Sequence, residues 1–247
     1  MRRILAFDIG VLHLGWCMVE INDEKKNDTA GKEEENTVPI LLPPSCHCVH
    51  VKTREQEQEQ EQEQEQGRSE TRSAKECTLH RLRRQIRIRW MDLYQGKNLR
   101  YGTEDIRSLF QYLHKHDWLW ELEIDVILIE KQMSSPRGIN VQALKMAQSV
   151  LCFFIARPCS ATATILEYPA MWKSKHLFQI VHSNHRERKR WAVDQTRWFL
   201  ESDPVLLDWF HCFPKLDDIS DAFLMTVVYI HQHGWADGGR TTRSSTN

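Results

Sequence analysis

The sequence predicts an α/β fold, a mixed sheet flanked by helices and interrupted by an insertion that builds no core. Three observations predict it. Two apolar runs joined by a glycine-bounded turn open the chain, helical and strand patterns alternate from about residue 79, and EQEQEQEQEQEQ (55–66) shows no apolar periodicity.

RILAFDI (3–9) and GWCMVEI (15–21) read as a hairpin of strands. The charged segment 22–37 has little to bury and reads as an exposed connection. VPILLPPSCHCVHVK (38–52) mixes β-branched and apolar residues with two prolines, a third strand at best, bulged or broken at Pro43 and Pro44. The low-complexity stretch at about 53–74 cannot repay the entropy of ordering itself, so it is expected to be a disordered loop inserted into one domain spanning 1–234, with a solvated single helix as the alternative.

From Leu79 the spacing of Leu82, Ile86 and Trp90 predicts a helix, and TEDIRSLFQYLHKHDWLW predicts another that starts at Thr103. DVILIE (125–130), apolar throughout and bounded by acids, has the pattern of a buried strand. NVQALKMAQSVLCFFIA (140–156) follows as an apolar helix, ATATILEY (161–168) as a strand, and then a lysine-rich loop. RERKRWAVDQTRWFLE (186–201) and DDISDAFLMTVVYIHQH (217–233) are two closing helices, and 235–247 is a polar tail.

The formal net charge of −1 hides a basic remainder, because six glutamates lie in the Glu/Gln repeat and the rest of the chain carries +5. The basic residues concentrate in HRLRRQIRIRW (80–90), which favours phosphate-bearing partners. Seven cysteines in no framework spacing, after an opening too short in apolar residues for a signal peptide, point to a reducing, intracellular setting. No apolar run approaches the roughly 18 residues of a membrane span, so no membrane partner is expected.

Asp8 ends the first apolar strand and Glu130 ends the second. If those strands are neighbours, two carboxylates meet at one end of the sheet. Asp218 and Asp221, three apart, share a face of the last helix, whose Ile219, Ala222 and Phe223 would anchor it to the core. Crowded anions repel and their desolvation is costly, and a divalent cation resolves both problems. Oxygen ligands without paired imidazoles or thiolates suit Mg²⁺, with Mn²⁺ as a substitute. Such ions on a phosphodiester support two-metal hydrolysis of nucleic acid. Read singly, each acid has a plainer role: Asp218 as a helix first-turn residue, Asp217 and Asp221 as surface acids, Glu130 paired with Lys131 or Arg137.

FDIGVLHLGW resembles the first motif of RuvC-type Holliday junction resolvases, whose aspartate and two glycines have the spacing of Asp8, Gly10 and Gly15. ILIEKQ resembles their second motif, and KLDDISDAFLM their last, especially as written in resolvases of poxviruses, other large DNA viruses and fungal mitochondria. The resemblance covers most of the chain in the right order, apart from the Glu/Gln insertion. It implies a ribonuclease H-like fold, a homodimer, and magnesium-dependent paired cuts across a four-way DNA junction. It also implies that Asp8, Glu130, Asp218 and Asp221 are the metal-binding, catalytic carboxylates. Lys173, or Lys175 if the alignment slips by two, stands where the family carries a phosphate-contacting lysine, and Lys189 resembles a second. Met133 occupies the place of an aromatic wedge in some bacterial members. His13 departs from the asparagine usual in the viral and mitochondrial ones. Asp217 points about 100° away from Asp218 on the helix.

Arg186, Arg188 and Lys189, with Lys175 and Arg137, are candidate contacts to the DNA backbone. Cys46, Cys48, Cys77 and His80 form an irregular set whose first pair is spaced too tightly for an ordinary zinc site. The expected function is therefore a structure-selective DNA endonuclease. The alternatives are another ribonuclease H-like nuclease or transposon-type enzyme, a protein that holds DNA without cutting it, and an ATP phosphotransferase of the actin and sugar-kinase type. The last needs a second phosphate loop, for which only Asp237 to Gly239 offers itself.

Overall fold

The computed structural model describes residues 1–21, 78–96, 102–132, 134–135, 138–158, 161–169, 172 and 184–235. Strands β1 (Arg2–Ile9) and β2 (His13–Ile21) form the expected antiparallel hairpin, with Asp8 opposite Gly15. Helix α1 (Thr78–Gln85) leads into β3 (Ile86–Gln95), which pairs antiparallel with β2 and shifts register between Met18 and Val19. Helices α2 (Thr103–His114) and α3 (Asp117–Trp120) precede β4 (Val126–Lys131), which runs parallel to β1. A two-stranded ribbon, β5 (Ser134–Ser135) and β6 (Gly138–Ile139), precedes α4 (Val141–Ile155). Strand β7 (Thr164–Pro169) then adds parallel to β4. The chain closes with α5 (His185–Leu200), α6 (Pro204–His211) and α7 (Leu216–Gln232). The main sheet therefore has the order β3-β2-β1-β4-β7.

Strand periodicity sorts the core into two layers. Ile4, Ala6, Cys17, Val19, Val126 and Leu128 pack under α5 and α7. Leu5, Phe7, Trp16, Met18, Ile127 and Ile129 pack against α2 and α4. Helix α4 is started by Asn140, whose side chain accepts from the Ala143 amide at 3.2 Å, and α5 by Asn184, which accepts from Glu187 at 2.9 Å. Helix α2 begins at Thr103 as expected, but its N-cap is Gly102, whose amide donates to the Asp105 carboxylate at 2.8 Å.

Several features differ from the sequence reading, and the helix expected over 103–120 breaks at Lys115 and His116 into α2 and α3. The helix expected through Ile86 and Trp90 ends at Gln85, and both residues lie on β3. Ile86, Ile88 and Trp90 alternate with Arg87 and Arg89, which also satisfies a period of two, and pairing with β2 decides for the strand. The basic run 80–90 is thereby divided. Arg83 lies 4.7 Å over the Trp198 ring and 3.5 Å from Glu201, while Arg89 and Arg3 enclose the buried Glu20 at 3.2 and 2.8 Å. A third closing helix, α6, was not anticipated, although Asp203 caps it at Leu206 and Pro204 opens it. Finally, Trp235, first residue of the expected polar tail, packs on the core and stacks under Arg2 at 4.7 Å. The strand expected in 38–52 and the insertion at about 53–74 lie outside the described residues.

A polar network ties β3 to the helices on its own side of the sheet. Asp92 accepts from the Leu93 amide at 2.7 Å and meets His116 at 3.1 Å, and the Trp16 indole donates to Tyr112 at 2.7 Å. Burial works to raise the Asp92 carboxyl, but hydrogen bonds from His116, Leu93 and Tyr112 outweigh it and hold the group below its ordinary value. Its contribution is present above the unfolded carboxylate value and is lost as pH falls through the lower folded one. Asp92→Asn is therefore expected to lower Tm at neutral pH, with the two melting curves converging below about pH 3. Thermal unfolding monitored by circular dichroism across that range checks it.

Candidate active site

Strand parity puts the acids on one face. Asp8 continues the series Ile4, Ala6, and Glu130 continues Val126, Leu128, so both belong to the layer covered by α7. The parallel ladder ends at Phe7 and Ile129, leaving Asp8 and Glu130 at the same level on adjacent strands. Glu130 reaches back across this pair: its Oε2 accepts from the Ile9 amide at 3.2 Å and from Gln132 Nε2 at 3.2 Å. Gln132 also donates to the Ile9 carbonyl at 3.3 Å, so the glutamine of ILIEKQ fixes the carboxylate to β1.

The third acid arrives through a glycine. A Cβ on Gly15 would fall 2.5 Å from the Asp218 carbonyl carbon and oxygen, so no other residue lets the first turn of α7 rest there. Gly15 is the cross-strand partner of Asp8, hence the α7 backbone at Asp218 lies against the strand pair that carries Asp8. Both are nearly closed to solvent, Asp8 at 6% and Asp218 at 4% exposure. A Cβ on Gly10 would lie 3.8 Å from Asp218 Oδ2, which makes the β1–β2 turn a wall of the same site. His13 Nδ1 stands 3.9 Å from that oxygen. Burial, assisted by the Lys215 charge, lowers the His13 pKa.

Lysines compensate the acids. Lys215 donates to both oxygens of Asp218, and Lys189 from α5 is hydrogen-bonded to Asp217. Burial keeps Asp218 above the ordinary carboxylate range despite Lys215. Asp217, also subject to burial, is held below that range by Lys189 and Lys215. Asp221, one turn further along α7 and partly buried, acts electrostatically on His185 and Lys189 of α5. Beside these pairs opens a cavity of about 420 Å³ lined by Arg186, Lys189, Arg190, Arg197, Lys215 and Asp217.

Scanned against protein-family models and curated sequences, the chain matches none. Solved structures do match. Thermus thermophilus RuvC aligns with 93% of this chain and 96% of its own, at 12% identity and a TM-score of 0.50. The fold is that of RuvC. Fowlpox virus resolvase in complex with its Holliday junction substrate aligns with 93% of this chain and 97% of its own, at 13% identity and a TM-score of 0.48. A second structure, of the fowlpox virus Holliday junction resolvase, gives 12% identity, 93% and 99% coverage and a TM-score of 0.47.

Within this RuvC-like fold, Asp8 and Glu130 end adjacent strands and the backbone of Asp218 packs on Gly15, yet no three His, Cys, Asp or Glu side chains among the described residues are grouped to hold a metal ion, and Asp221 acts on the start of α5. Arg186 lines the cavity, and Arg188 lies 2.9 Å from the His185 ring nitrogen. Asp217 turns to Lys189, away from the role of its neighbour. His80 packs edge-on against Trp198 at 5.2 Å. Lys173, Lys175, Arg137, Met133, Cys46, Cys48, Cys77 and the 237–239 loop lie outside the described residues. Sequence reasoning missed Lys215, whose signal was a cation two residues before the paired acids. No helix among the described residues is long and apolar enough to cross a membrane.

The close approach at Gly15 is testable. Gly15→Ala is expected to destabilise the fold by about 2 kcal/mol or more, because backbone of α7 must retreat. Gly102→Ala, with nothing within 4 Å of its added Cβ, stays within about 1 kcal/mol. Urea denaturation of the two variants makes the comparison.

Proposed function

We propose that the chain is a structure-selective DNA endonuclease that cleaves four-way junctions with a divalent cation, Mg²⁺ or Mn²⁺, and acts as a homodimer in an intracellular setting. The observation that carries this reading is the placement of Asp8, Glu130 and the α7 start that bears Asp218 at one end of a RuvC-like sheet, beside a cavity lined with four arginine or lysine side chains besides Lys215. The motif resemblance to RuvC-type resolvases supports the same substrate.

The donor chemistry fits a hard cation, since every candidate ligand is a carboxylate oxygen with one imidazole at the border. Among the described residues no three such side chains are drawn to a common ligation point, and Lys215 stands on Asp218. Asp8, Glu130, Asp218 and Asp221 are the residues that would hold the metal. When bound it would supply charge neutralisation at the phosphodiester and an activated water. The chain's own residues do the rest. Gln132 and the Ile9 amide orient Glu130, burial beside α7 keeps bulk water from Asp8 and Asp218, and the cations of α5 hold the DNA backbone. Recognition through phosphates suits a branched substrate read by shape. Two copies of the site in a homodimer would account for paired cuts.

Incubation of the full chain with a synthetic four-way junction and with linear duplex, in magnesium and then in chelator, tests the proposal. Selective, chelator-sensitive cutting of the junction is expected. Binding without cutting would leave a DNA-holding protein instead. Asp8→Asn, Glu130→Gln and Asp221→Asn are each expected to slow cutting at least about a hundredfold while junction binding stays measurable. A variant that cuts at the normal rate removes its residue from the ligand set.

The cavity makes a separate prediction. Arg186→Gln and Arg190→Gln should each weaken DNA binding about equally for all sequences and reduce the salt slope by about one unit. Fluorescence anisotropy over a salt series measures it.

A further inference from the structure

Lys215 occupies an unusual position. It is the N-cap of α7, a place that favours Ser, Thr, Asp or Asn, and its side chain makes no capping hydrogen bond. The positive end of the helix dipole lies there, so a cation gains nothing from the helix itself. Its ammonium instead turns onto both oxygens of Asp218, with Asp217 Oδ2 at 3.9 Å.

This arrangement solves a problem that the site creates for itself. Asp218 is pinned by the close packing at Gly15 and nearly closed to solvent, so an unpaired charge there would be costly. An ammonium on both oxygens relieves that cost. The same oxygens then carry a positive charge that opposes the approach of a divalent cation.

Resting on the metal-dependent nuclease reading, we propose that Lys215 is the internal counter-cation of the site: it holds the Asp218 carboxylate in the metal-free protein, and a divalent cation must displace it to use that carboxylate. The displacement has a route. The Lys215 side chain is 31% exposed, Asp217 offers a second partner, and the adjoining cavity gives the flexible stem room to move. Metal affinity is therefore set by competition, and the acidic site stays charge-balanced until metal arrives. Lys189 does not compete in the same way, because its partner is Asp217.

Titration of the full chain with Mn²⁺ in the absence of DNA, followed by calorimetry and by the electron paramagnetic resonance of free Mn²⁺, tests this directly. Lys215→Met should bind Mn²⁺ about tenfold more tightly, the loss of one partly exposed charge-assisted contact. Lys215→Arg, which keeps the charge, should bind no more tightly than the natural chain. Arg190→Gln, a neutralisation in the same cavity, should change affinity by less than about twofold, since its charge is exposed and screened by solvent. Unchanged or weaker binding by Lys215→Met overturns the proposal, as does an equal gain from Arg190→Gln. Should Lys215→Met lose cooperative unfolding, Lys215→Gln replaces it with the same expected gain. A natural chain that binds no Mn²⁺ overturns the nuclease reading itself.

Discussion

The contact between the first turn of α7 and Gly15 is the constraint on which the rest of the site depends. Helix α7 is buried along most of its length, from Asp218 to Ile230, so its position is fixed by packing against β1 and β2 and not by its flanking loop. Only a residue without a side chain lets its backbone settle over the hairpin at the level of Asp8. The acids thus gain their geometry from core packing, which is stiff. A site built on a strand end and a helix start holds its groups more closely than one built on loops.

Charge balance is the second constraint, and it is distributed unequally. Asp217 and Asp218 are neighbours in sequence but turn in different directions, one to Lys189 on α5 and the other to Lys215 at its own helix start. The first pairing ties two helices together and pulls its carboxyl below the ordinary range. The second leaves a buried carboxyl above that range, a group whose charged form still gains from a further cation. The positive end of the α7 dipole favours both acids. Adjacent aspartates in one motif therefore divide into a structural tether and a candidate ligand.

Most of the sheet was legible because its strands are unambiguous. RILAFDI and DVILIE carry continuous apolar runs with an acid at the end, and the period of two alone puts Asp8 and Glu130 on one face once the strands are neighbours. The segment 86–90 was not legible, because Leu82, Ile86 and Trp90 fit a helix while Ile86, Ile88 and Trp90 fit a strand, and only the unpaired edge of β2 distinguishes them. Helix α6 was passed over although its Asp-Pro start is an ordinary signal. In the site, the acids could be named from their motifs. Lys215 could not, because a lysine before two aspartates reads as a solvated surface pair until the helix start is seen to be packed against Gly15. Glu130 likewise gave no sign that Gln132 and the Ile9 amide would hold it.

The topology explains why the acids gather at this end of the sheet and not at the other. Strands β1 and β4 are parallel, and both acids stand at their C-terminal ends. From β1 the chain turns back on one side into β2, whereas from β4 it crosses through α4 to β7 on the other side. Connections that leave neighbouring strands in opposite directions open a crevice at their C-terminal ends, the usual place for ligands in open α/β sheets. Helix α7 brings its N-terminus, where helix geometry already favours anions, onto Gly15, the cross-strand partner of Asp8. The cavity beside α5, with its arginines and lysines, adjoins the same helix start through Lys215 and Asp217, so positive charge gathers next to the acidic strand ends.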